Sequence, residues 1–335
     1  MNTPYRIQTG CKINLGLNIT ERRPDGYHNL QTIFYPVPLY DELTIESNPL
    51  APCSLPLAPI EIESNPPAPC SLPIAPIEIE SNPLAPCSLP LAPIEIESNS
   101  LAPCSLPLAP IEDVLTLGGN PLEGDVQNNL VLRAVRLLRE EGFSLPPLSI
   151  ELKKVIPSGA GLGGGSSDAA CMVRSLSKLY RLPLSEEQME RMVGKLGADC
   201  PFFINPRPLY AEGIGDVFTP VQVNLRGWYL MLVKPDVFVS TREAYAGVHP
   251  HRPAYSLLDT VKLPVEQWKG RMVNDFEESI FASHPLLAEI KEELYLQGAA
   301  YASMSGSGST IFGLFRSHPT CEHRFEAHFT FVCQL

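Results

Sequence analysis

One stretch of this chain leaves its backbone few options. The run Pro157-Ser158-Gly159-Ala160-Gly161-Leu162-Gly163-Gly164-Gly165-Ser166-Ser167-Asp168-Ala169-Ala170 packs five glycines and three serines into its first eleven residues. Glycine reaches positive φ without strain and lets main chain come close to a ligand. Ahead of the run, Leu148 to Ile156 reads as a strand, though its alternation is imperfect. Behind it, Ala169, Met172 or Val173, Leu176 and Leu179 recur at helical spacing, with Ser166 or Ser167 placed to cap the start. Strand, glycine loop and helix together present unpaired N–H groups and a positive dipole end, which suits an anion and above all phosphate.

The type of phosphate loop follows from what is missing. No Gly-Lys-Ser/Thr closes the run, so it is not a Walker A loop. Gly159, Gly161 and Gly164 satisfy G-x-G-x-x-G, but a dinucleotide fold needs an acidic residue at a strand end about twenty residues on. That region holds Ser185-Glu186-Glu187-Gln188, which reads as a capping box opening a helix over 185–196. Met189, Met192, Val193 and Leu196 face inward on that helix, and Gly197 stops it. A nicotinamide or flavin oxidoreductase is therefore the weaker reading.

Residues 12 to 19 alternate as a strand. Lys12, Asn14, Gly16 and Asn18 share one face and Ile13, Leu15, Leu17 and Ile19 the other, so by itself the segment reads as half-buried with one wet face. Arg22 to Gly26 is a turn by composition, and Tyr27 and His28 follow it. Asp199 precedes Pro201 by two residues, the place of an N-cap. A helix is expected over Pro285 to Gln297, a second glycine–serine loop over Ser303 to Ser309, and a buried strand over Ile311 to Phe315.

The glycine run resembles the ATP-binding motif of the GHMP kinase superfamily, P-x-x-x-G-L-G-G-G-S-S-[DN]-A-A. Lys12-Ile13-Asn14-Leu15, Arg23-Pro24-Asp25-Gly26-Tyr27-His28-Asn29-Leu30, Gly197-Ala198-Asp199-Cys200-Pro201-Phe202-Phe203, Asn274-Asp275-Phe276-Glu277 and Ser305-Gly306-Ser307-Gly308 follow in the family's order. They narrow the resemblance to the branch that phosphorylates a cytidine diphosphate ester of methylerythritol. The resemblance implies an α+β fold of two domains: ribosomal-protein-S5-like over 1–208 and ferredoxin-like over 209–335. It implies ATP on Pro157, Ser158, Gly159, Ala160, Gly161, Leu162, Gly163, Gly164, Gly165, Ser166 and Ser167, with Mg²⁺ as companion and no residue assigned as a metal ligand. It gives Lys12 and Asp199 catalytic roles and places Asn14, Tyr27, His28 and Thr241 against the cytidine substrate. Cys321 to Leu335 match the family poorly and inherit no role. The rivals are a GHMP kinase for another small molecule, and a nucleotide binder inactivated by an insertion.

That insertion is four tandem copies of a 17-residue unit over residues 45–112, the first reading IESNPLAPCSLPLAPIE. The copies differ only at Pro67, Ile74 and Ser100, and three copies fewer leaves 284 residues. Sixteen of the chain's 35 prolines lie here. Proline lacks the N–H a strand ladder requires, so an extruded surface loop is expected over a stacked solenoid.

The array also distorts the composition. Each copy brings two glutamates and no base, so eight of the twelve net negative charges belong to it. Neither the residual charge nor any basic run suits nucleic acid. Four of the nine cysteines are repeat copies, and none forms a C-x-x-C pair. Cys11, Cys171 and Cys200 read as buried thiols. No apolar run has the length of a membrane span and no signal-peptide core opens the chain, which leads us to expect a cytoplasmic protein without membrane partners. Its oligomeric state is left open.

Overall fold

A long antiparallel hairpin organises the molecule. β1 (Tyr5–Arg22) and β2 (His28–Ser47) pair along nearly their whole length. The turn expected at Arg22–Gly26 joins them, with Gly26 at φ +89°. The computed structural model describes residues 4–47, 112–121 and 125–335. On its other edge β2 carries β4 (Leu148–Lys154) near one end and β5 (Leu209–Glu212) near the other. β3 (Val114–Gly119) lies parallel to β4, and β6 (Val217–Pro220) extends β5, which completes a six-stranded sheet. A second, antiparallel sheet has the order β10 (Phe329–Gln334), β7 (Tyr229–Lys234), β9 (Ile311–Phe315), β8 (Tyr301–Met304).

Three helices complete the first layer: α1 (Leu130–Glu140), α2 (Gly164–Leu179) and α3 (Glu186–Gly194). Asn129 caps α1 by accepting from the Val131 amide at 2.9 Å. Val131, Leu132, Val135 and Leu138 of α1 join Ile150 and Leu152 of β4 and Met172 and Leu176 of α2 in one core. The capping box of α3 forms as expected, Ser185 accepting from Gln188 N and Gln188 accepting from Ser185 N. The helix ends at Gly194, with Met189, Met192 and Val193 buried and Leu196 packed just beyond it. Around the second sheet lie α4 (Thr241–Ala246), α6 (Phe276–Ser283) and α7 (Pro285–Leu296), while α5 (Leu257–Thr260) packs against β2.

Several expectations need correction. The Lys12 strand has no wet face: Lys12, Asn14 and Asn18 are as buried as Ile13 and Leu15. β1 carries register shifts between Leu15 and Leu17 and between Ile19 and Glu21, so the alternation read from sequence does not run unbroken. β5 and β6 belong to the first sheet, so that sheet continues past residue 208 and the chain crosses to the second between Pro220 and Tyr229. β8 intervenes between α7 and the second glycine loop, which therefore begins at Ser305. The C-terminal segment without an assigned role supplies the edge strand β10. Of the repeat array only Ile45, Glu46, Ser47 and Glu112 are described, the first three as the end of β2; its expected loop or solenoid character lies outside the described residues.

Candidate active site

The glycine run leaves β4 alternating strictly between buried and exposed positions, which brings Lys154 to an inward position. Its ammonium is held by Asp41 and by Asp168 at 2.8 Å. Asp41 Oδ1 also accepts from the amides of Val155 and Ile156, at 2.6 and 2.8 Å, and so fixes the entry to the loop. Thr9 donates to the second oxygen of Asp168 at 2.5 Å. Two carboxylates share one lysine here, a buried excess of negative charge. Burial pushes the Asp168 carboxyl up to about 6; Lys154 opposes the shift and Asp41 adds to it. Burial alone would lower Lys154, but Asp168 and Asp41 together hold it above its ordinary value.

The loop then opens α2 in a way the serines did not foretell. The N-cap is Gly163, at φ +70°, and it makes no side-chain capping bond. The amides of Gly164, Gly165 and Ser166 thus form an uncapped first turn on a 16-residue helix, with the positive end of its dipole exposed. All of residues 157–166 line a cavity of about 750 Å³, as do Lys12, Asn14 and Asp199. Ser167 does not line it; the residue is fully buried. Gly161 shows why side chains are excluded from the loop: a Cβ there would sit 2.0 Å from the carbonyl oxygen of Ser305. The two glycine loops therefore touch. Ser305 Oγ donates to Gly161 O at 2.9 Å, and Thr310 N donates to Ala160 O at 3.3 Å.

Lys12 enters the cavity from β1. Its ammonium donates to Asn14 Oδ1 at 2.7 Å and to Gly161 O at 3.0 Å, and lies 3.4 Å from Asp199 Oδ2. Asp199 stands at the N-cap of a short 3-10 turn, Cys200–Phe203, yet makes no capping bond. Its side chain is 36% exposed, against 4% for Lys12, so the carboxylate faces the cavity beside a buried cation. The neighbouring Cys200 thiol is pushed up to about 11 by burial and is inert.

Thr241 lies on the cavity wall at the first turn of α4. His28 reaches the site through a ring: it stacks on Tyr245, centroids 5.0 Å apart, and Tyr245 meets Phe276 edge-on at 4.9 Å. Burial, then the Asp199 carboxylate, push the Tyr245 phenol up to about 12. Burial and Arg22 hold His28 below its ordinary value, which favours the neutral imidazole with one donor and one acceptor. Tyr27 is outside the cavity lining and 62% exposed. The fold thus brings Lys12, Asn14, Asp199, Thr241 and the loop together and leaves Tyr27 at the margin. The sequence reading missed Thr32, Asp41, Lys154 and Tyr245 as parts of the site. Of these only Lys154 sat inside a segment already singled out, the strand Leu148 to Ile156, as did its partner Asp168 in the glycine run.

The GHMP kinases N terminal domain profile matches residues 129–206, and the GHMP kinases C terminal profile matches residues 264–325. Two sheets of this topology with a glycine loop opening an uncapped helix define a GHMP kinase, an ATP-dependent small-molecule kinase. Among relatives, the 4-diphosphocytidyl-2-C-methyl-D-erythritol kinase of Bacteroides thetaiotaomicron is 45% identical over 92% of each chain. That of Parabacteroides distasonis is 40% identical over 91% of this chain and 89% of its own. The chain belongs to the 4-diphosphocytidyl-2-C-methyl-D-erythritol kinases. A crystal structure of a 4-(cytidine 5′-diphospho)-2C-methyl-D-erythritol kinase superposes with a TM-score of 0.66 at 25% identity, covering 98% of both chains. A mevalonate kinase structure, at 0.59 and 13% identity, shares the fold alone.

Proposed function

We propose that this chain transfers the γ-phosphoryl group of ATP to the 2-hydroxyl of 4-(cytidine 5′-diphospho)-2-C-methyl-D-erythritol, a step toward isoprenoid precursors by the non-mevalonate route. The observation that carries the reading is Asp199. It occupies a capping position without capping, and it faces the cavity 3.4 Å from the Lys12 ammonium. There it accepts the proton of the substrate hydroxyl as that oxygen attacks the γ-phosphorus, and ADP leaves. Lys12, beside it, attracts the transferring group. The first amides of α2 and the glycines of residues 159–165 receive the phosphates.

Asn14, His28 and Thr241 contact the cytidine substrate in this reading, and Tyr27 closes on it from the exposed turn. Mg²⁺ enters with the nucleotide. Among the described residues no group of three His, Cys, Asp or Glu could hold a metal, and Asp168 is occupied by Lys154 and Thr9. The residues present therefore fit an ion carried by phosphate oxygens. Among the described residues no helix is long and apolar enough to cross a membrane. The reading places the enzyme with its small-molecule substrates in the cytoplasm.

The test is ADP release by the full chain with Mg²⁺-ATP, with and without the cytidine substrate, beside Asp199→Asn. The expected result is substrate-dependent release that falls about 10²–10⁴-fold in the variant. Release with another alcohol and none with the cytidine compound assigns the site to a different small-molecule kinase. No release with either overturns the reading.

A further inference from the structure

Asn14 can hold Lys12 only if its amide points the right way, and one residue decides that. Lys12 Nζ donates to Asn14 Oδ1 at 2.7 Å. On the other side, Asn14 Nδ2 donates to Thr32 Oγ1 at 2.9 Å. Thr32 has a single hydroxyl proton, and it goes to the main-chain oxygen of Gly16 at 2.6 Å. With that proton committed, the hydroxyl offers Asn14 only a lone pair, so it requires an N–H opposite it. The amide nitrogen therefore faces Thr32, and the amide oxygen faces the ammonium.

A flipped amide would set a donor against Lys12 and leave Thr32 without its bond, both in a site where Thr32 and Asn14 are 1% and 2% exposed. Both side chains border the cavity with almost no surface of their own open to it, so solvent repairs the mismatch poorly and the penalty is large. The Gly16 oxygen is itself fixed, because Gly16 sits at φ +71° at the shift in strand register. The relay thus runs from a rigid backbone bend through Thr32 and Asn14 to the catalytic cation.

We propose that Thr32 is a positioning residue for phosphoryl transfer: it locks the Asn14 amide and through it the Lys12 ammonium. The proposal rests on the function proposed above. Thr32→Val keeps the shape and removes the hydroxyl; Thr32→Ser keeps the hydroxyl and removes a methyl. Expected for Thr32→Val is a fall in kcat of about 10²-fold with KM for ATP nearly unchanged, and recovery to near wild type in Thr32→Ser. In ¹⁵N-labelled protein the Asn14 side-chain amide pair, assigned with Asn14→Asp, should shift and exchange faster in Thr32→Val and keep its wild-type behaviour in Thr32→Ser.

A Thr32→Val enzyme that retains kcat within about twofold, or a Thr32→Ser enzyme as slow as Thr32→Val, overturns the proposal. If wild type phosphorylates no cytidine substrate, the proposed function fails instead. The amide signal then decides the lock by itself, unmoved resonances in Thr32→Val sinking it.

Discussion

At the scale of single residues, the buried trio of Lys154, Asp41 and Asp168 makes a prediction about pH. The Asp168 carboxyl titrates at about 6 in the folded chain, against an ordinary value of 3.8. The folded state therefore holds this proton more tightly than the unfolded chain does. Raising pH from about 4 to about 6 strips the proton from the unfolded state first, so stability falls across that window. Asp168→Asn removes the titration and the excess charge. Thr9 can turn its hydroxyl to accept from the new amide, leaving the amide oxygen for Lys154. Urea midpoints taken from pH 4 to pH 7 should be flatter for the variant than for wild type; an unchanged slope would show that the proton resides elsewhere.

The same residues mark what could be read from the sequence. Lys12, Asn14 and Asp199 were legible because they lie in motifs whose roles a family resemblance supplies. Thr32, Asp41 and Lys154 were not, because each acts through a partner 14 to 115 positions away. Periodicity reports which face a side chain takes and says nothing of what meets it there. Lys154 in a strand reads as a solvated charge until β2 places Asp41 beside it.

At the scale of elements, strands and helices were located well where one face is apolar. β9 spans the expected residues, and α3 carries the expected capping box. The start of α2 was misjudged because the serine signal assumes that a helix wants its first amides satisfied internally. Here a left-handed glycine leaves them open to a ligand. The Asn274–Glu277 segment was legible as a motif but not as a device. Asn274 Nδ2 donates to the carbonyls of Met304 and Gly306, both at 2.8 Å, and its Oδ1 accepts from Phe276 N. Glu277 accepts from Ser303 Oγ and Met304 N, and Asp275 accepts from Ile19 N of β1. The segment pins the second glycine loop to the strand that carries Lys12. Asn274→Asp deletes both donors in a buried site. Stability should fall by roughly 2–4 kcal/mol, with two carbonyls left unpaired. KM for ATP should rise more than KM for the cytidine substrate, since Gly306 to Gly308 line the cavity. Thermal unfolding and steady-state kinetics on one preparation read both effects, and an equal rise in the two constants would contradict the pinning role.

At the scale of the whole molecule, the repeat array poses a question of attachment. Ser47, the last residue of β2, pairs with Leu148, and Val114, the first of β3, pairs with Ser149. The two ends of the intervening segment therefore flank β4 at adjacent positions, two strand spacings or about 10 Å apart. A short connection spans that gap as well as a long one. Residues 48–113 number 66, and removal of three copies leaves 15. The closure entropy of a connecting loop grows only with the logarithm of its length, so shortening should stabilise the fold by about 1.3 kcal/mol. None of the cavity contacts described above involves the array: Lys12, Asp199, Thr32 and both glycine loops find their partners within the two sheets and their helices. The chain with a single copy should accordingly keep kcat and KM for ATP within about twofold of the full chain. β3 is followed nine and ten residues on by Asn128 and Asn129 at the cavity wall, so this is also where interference would show. A shortened chain with markedly altered ATP affinity would mean that the array acts on the nucleotide site, and the repeats would then have to be counted as part of the enzyme's machinery.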